Sequence, residues 1–62
     1  MRMQLLDVGY VLKVNECKNG NGYVYIVEGK NGVYRVFSKR WFDVDSFVFV
    51  YYYGERLFIS DK

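Results

Sequence analysis

The chain has 62 residues, 52% of them hydrophobic and 21% aromatic, with nine Lys and Arg against seven Asp and Glu for a net charge of +2. That length makes one domain, residues 1–62, with no room for a second. With no His, Pro, Ala or Thr and a single Cys, the composition lacks the usual general base and metal ligand, any internal disulfide and the best helix former. In chain order the residues read as five strands punctuated by Gly and Asn. The first runs from Leu5 to Asn15, with Gly9 inside it marking a bulge or bend. The loop Glu16–Asn21 precedes a second strand, Gly22–Glu28, and the turn Gly29-Lys30-Asn31-Gly32 contains an Asn-Gly hairpin signal. Val33–Phe37 is the third strand. Ser38–Ser46 is an irregular connection with a helical or 3₁₀ turn expected near Ser38. Phe47–Tyr52 is the fourth strand, Tyr53-Gly54-Glu55 a tight turn and Arg56–Ile59 the fifth strand.

A three-strand meander, a longer connection and a hairpin suit a small closed barrel, because closure removes exposed sheet edges. The expected fold is an all-β, five-stranded OB-like barrel, in which a long, bent first strand pairs with both halves. An SH3-like small barrel is the alternative.

The residues also carry a family resemblance. Val8–Asn15, then Lys18 and Gly20, then Gly22-Tyr23-Val24-Tyr25-Ile26 resemble the opening of a cold-shock-type OB domain. Val33-Tyr34-Arg35-Val36-Phe37 resembles that family's second RNA-binding strand, and Val44–Phe49 resembles the entry to its fourth strand. The resemblance implies single-stranded nucleic acid as ligand. The chain departs from the pattern in three places. Lys13 stands where the family exposes a tryptophan, the third-strand histidine has no counterpart, and the turn before the fifth strand is very short.

Alternation divides strands two and three into two sets. If Asn31-Gly32 is a two-residue turn, Glu28 pairs with Arg35. One face then holds Tyr23, Tyr25, Val27, Tyr34 and Val36; the other holds Val24, Ile26, Glu28, Val33, Arg35 and Phe37. With the first face outward, as the resemblance implies, Tyr23, Tyr25 and Tyr34 are a platform for stacked bases. With it inward, the uncharged face is the core and Arg35 and Phe37 look outward. A three-residue loop would mix the sets.

Lys39 and Arg40 precede Trp41, and a cation beside an exposed ring suits phosphate and base together. Trp41 also suits a plug at the barrel end. The run Phe47–Tyr53 is apolar on both faces, which fits either rings packed under hydroxyls or a surface for a protein partner or homodimer. Glu55 and Arg56 just after it read as charged gatekeepers. No enzyme activity, cofactor or metal is expected. The lone Cys17, the absence of a signal-type stretch in Met1–Leu6 and the lack of any apolar run near the ~20 residues of a membrane helix point to a cytoplasmic protein with no membrane contact. The expected nucleic-acid contacts are Lys13, Tyr23, Tyr25, Tyr34, Arg35, Phe37, Lys39, Arg40 and Trp41.

Overall fold

The computed structural model describes residues 2–62. It contains β1 (Gln4–Glu16), β2 (Tyr23–Gly29), β3 (Val33–Ser38), β4 (Phe47–Tyr53) and β5 (Arg56–Ser60). Neighbouring strands run antiparallel in the order β3-β2-β1-β4-β5. The sheet curls until β5 lies against β3. The result is an all-β half-barrel whose long first strand serves both halves, as an OB-like arrangement requires. The C-terminal part of β1 pairs with β2 and the N-terminal part with β4, and Gly9 and Tyr10 have partners on both sides.

The bend of β1 is not where Gly9 suggested. The register slips between Leu5 and Asp7 and again between Val11 and Lys13, and each extra residue turns the strand from one half toward the other. Gly9 serves close approach instead. A Cβ there would run into the Glu28 carbonyl and lie 2.7 Å from the Gly29 Cα.

The expected helical turn after Ser38 does not form. The connection gives its backbone groups to β1: the Asp45 N–H donates to the Val11 carbonyl (2.7 Å), and the Val11 N–H donates to Ser46 (3.0 Å). Without an Ala- or Leu-rich segment to favour helix, pairing with β1 satisfies these groups better. Asp45 adopts φ 74° to make the turn.

Tyr25, Val27, Val36, Val48, Val50, Ile59, Val11 and Phe42 form the core, with Val14, Tyr23, Tyr34 and Leu57 packed against it. The loop between β2 and β3 is longer than a two-residue turn, since Glu28 pairs with Val33 and Ile26 with Arg35. The shift from the expected pairing is two positions. An even shift keeps every side chain on its own face, so the two sets remain intact and the first is the inner one. Glu28 and Arg35 decide this. An unpaired charge in so small a core costs several kcal/mol, whereas a Tyr needs only a partner for its hydroxyl.

Candidate functional site

Burial of the first face overturns the tyrosine platform. Tyr25 is 0% exposed; its hydroxyl donates to the Arg40 carbonyl (2.8 Å) and accepts the Phe42 N–H (2.9 Å). Its ring packs edge-on against Phe42, so no base can reach it. Burial pushes the Tyr25 hydroxyl above its ordinary pKa. Tyr23 is half-buried, with the edge of Trp41 5.1 Å away. Tyr34 is also half-buried and tied to Asp7.

Asp7 is the buried acid of the domain. Its carboxylate accepts N–H bonds from Val8 (2.7 Å), Lys30 (3.1 Å) and Asn31 (2.9 Å) and the Tyr34 hydroxyl (2.9 Å). These bonds join β1 to the tip of the β2–β3 hairpin. The Asn31 N–H, with Tyr34, Val8 and Lys30, holds the Asp7 carboxyl below its ordinary pKa against the opposing effect of burial. The Tyr34 hydroxyl's own bond to Asp7 pushes Tyr34 above its ordinary pKa. Asp7 is therefore a latch that sets hairpin position, and with every bond filled it is a poor candidate for chemistry.

The second face is the outer one. Lys13, Ile26 and Arg35 form one row across β1, β2 and β3, and Asn15, Val24 and Phe37 form the next. Lys13, Arg35 and Phe37 are all exposed, Phe37 by 43%. The Phe37 ring lies over Gly22: a Cβ on that glycine, whose φ is 155°, would fall 2.7 Å from the ring. Gly22 thus leaves room for the ring to be held from below while its other side meets solvent.

The row continues across the seam between β3 and β5. A groove of about 470 Å³ runs there. The outward positions of β3 and the residue after it supply Arg35, Phe37 and Lys39, and those of β5 supply Arg56 and Phe58. Three cations and two rings line the groove, with no acidic side chain among its lining residues. Phosphate and an aromatic ring system are the chemistries such a lining receives. Arg56 and Phe58 were missed as site residues, because alternation along β5 reveals their outward direction but only the curl of the sheet sets them beside β3.

Trp41 and Arg40 have other surroundings. Trp41 is 54% exposed, and its indole N–H donates to Asp43 (2.9 Å). Phe42, 3% exposed, fills the core position in place of Trp41. The Arg40 guanidinium lies over the Phe42 ring at 5.0 Å and 3.3 Å from Asp61, so its charge is partly offset.

A second outward surface has the opposite chemistry. On β1 and β4 the pairs Tyr10–Phe47, Val8–Phe49 and Leu5–Tyr51 lie side by side, and Phe58 of β5 pairs with Tyr51. The rings of Tyr10, Phe47, Phe49 and Tyr51 follow one another at centroid spacings of 5.4, 5.4 and 6.5 Å. None of these side chains is charged. A dent of about 300 Å³ lies at the Tyr10 and Phe47 end, with Glu28 and Lys30 at its margin.

Among the described residues no group of three or more His, Cys, Asp or Glu is placed to hold a metal ion, and no helix is long and apolar enough to cross a membrane. Compared with family models, curated proteins and solved structures, the chain matches none.

Proposed function

We propose that this domain binds single-stranded nucleic acid without catalysing a reaction, through the groove between β3 and β5 and the outer surface leading from it to Lys13. The observation that carries the reading is the groove lining: Arg35, Lys39 and Arg56 around the rings of Phe37 and Phe58, without an acid. Cations take phosphates by releasing their counterions, and rings stack on any base, so the pair of features gives affinity with little sequence preference. The cold-shock resemblance implied the other face of β2 and β3, so the reading rests on the groove lining and not on that pattern. A single strand fits better than a duplex, since the rings need unstacked bases and a net charge of +2 is low for a duplex binder. With one Cys and no disulfide framework, the domain suits a reducing, cytoplasmic compartment.

A fluorescence titration with mixed-sequence oligonucleotides at low salt tests the proposal. Micromolar binding is expected, with log K falling against log salt at a slope near about −2, for roughly three phosphate contacts on a single strand. Binding that ignores salt, or none at about 100 µM protein, rules the reading out.

A further inference from the structure

We infer that the apolar outer face of β1 and β4 is a self-association surface, covered in solution by a second copy of this chain turned end for end. Its residues lie outside the lining of the β3–β5 groove, and the inference does not rest on nucleic-acid binding.

The first support is the supply of apolar surface. Among the described residues thirteen large hydrophobic side chains are exposed against eight buried hydrophobic ones. Small domains with too little core commonly make up the shortfall by association. Leu5 and Tyr10 are each 55% exposed and Phe47 44%. On roughly 200 Å² for each of these large side chains, the three leave roughly 300 Å² of mostly apolar surface in one patch. Val8, Phe49 and Tyr51, half-buried between them, extend it. This is the apolar centre expected of a standard interface, which buries about 800 Å² per partner including its polar rim.

The second support is self-complementarity. The dent lies at the Tyr10 and Phe47 end, and Leu5, 55% exposed, stands at the other. A two-fold axis lying across the strands sets Leu5 of each copy over the dented end of the other. The rim agrees. Lys30 borders the dented end beside Glu28, and Glu55 follows β4 at the other end, so end-for-end apposition brings Lys30 of each copy toward Glu55 of its partner. A neutral face offers a charged partner nothing comparable.

Sedimentation equilibrium over a concentration series tests the inference. The 7.4 kDa chain is expected to approach twice its mass at tens of micromolar, and Tyr10→Glu or Phe47→Ser to raise the dimer dissociation constant at least tenfold while oligonucleotide binding stays within about twofold. Wild-type protein that stays monomeric at several hundred micromolar overturns it, as does a dimer unaffected by either variant, or a larger assembly. If neither variant folds by circular dichroism, amide shifts of wild-type protein on dilution decide. Changes along β1 and β4 support the inference; changes confined to β2, β3 and β5, or none, overturn it. Loss of oligonucleotide binding alone bears on the groove and leaves this face standing.

Discussion

The outward positions of β4 and those of β3 obey the same alternation and end in opposite chemistry. Along β4 the outward residues are Phe47, Phe49 and Tyr51, and their β1 neighbours Tyr10, Val8 and Leu5 are equally free of charge. Along β3 they are Val33, Arg35 and Phe37, followed by Lys39, with Arg56 arriving from across the seam. One half of the barrel turns a dry surface outward and the other a cationic one. An outward position in so small a barrel is therefore no guarantee of a solvated residue, and the two halves are suited to different classes of partner.

The largest effect is expected from breaking what both halves share. Tyr25→Ala removes the fully buried ring and the hydroxyl that joins Arg40 to Phe42. A loss of about 3–5 kcal/mol is expected, enough to leave the domain unfolded or nearly so in urea titration. Tyr25→Phe separates the two contributions, since it keeps the ring and takes the hydroxyl from the Phe42 N–H and the Arg40 carbonyl, at about 1–3 kcal/mol.

The next change sharpens the comparison. Phe37→Ala is expected to weaken oligonucleotide binding by about 1–3 kcal/mol, the range for one stacked base, with dimer formation untouched. Arg56→Ala follows, with roughly a tenfold loss at low salt and a salt slope shallower by about 0.7. If Tyr10→Glu weakens oligonucleotide binding as strongly as Arg56→Ala does, the two halves are not separate surfaces.

A smaller effect lies at the β4–β5 turn, where Gly54 and Glu55 take φ 56° and 66°. Both values are positive, as a type I′ turn requires, and Glu is costly there. Glu55→Gly is expected to raise stability by about 0.5–1 kcal/mol in thermal unfolding.

The most local effect is pH dependence at the Asp7 latch. Asp7 has a depressed pKa in the fold, so its stabilisation is complete above the ordinary carboxylate value near 3.8 and is lost as pH falls through the folded value. Tyr34 has a raised pKa, so its share is complete below about 10 and is lost as pH rises through the folded value. Hydrogen exchange at the Lys30 and Asn31 amides is expected to speed up on the acid side before exchange at Val27. Uniform acceleration of all three would mean that the latch does not act locally.

Much of the fold was legible along the chain. The strand ends implied by the Gly and Asn punctuation agree with the observed ends to within one residue, because turn chemistry is local. The bend was misplaced: a glycine shows where backbone approaches backbone, and a bulge requires only one extra residue, here of ordinary type. The site was legible in part. Lys13 and Lys39 lie on the outer surface, and so do Arg35 and Phe37, which an outward tyrosine platform would have turned inward, while Tyr23, Tyr25 and Tyr34 face the core side. The family pattern favoured their exposure, but the charges of Glu28 and Arg35 on the opposite face outweighed it.

The amino-acid order by itself determined the strands, their alternation and the membership of the two faces. These depend on period and turn residues, which act over a few positions. Tertiary structure decided which face is the core, because that choice is made by the cost of burying Glu28 and Arg35 once the sheet curls. It also decided that Arg56 and Phe58 stand beside Arg35 and Phe37. The two strands are separated by the whole connection and β4, and only the curl of the barrel brings their outward positions to a common groove.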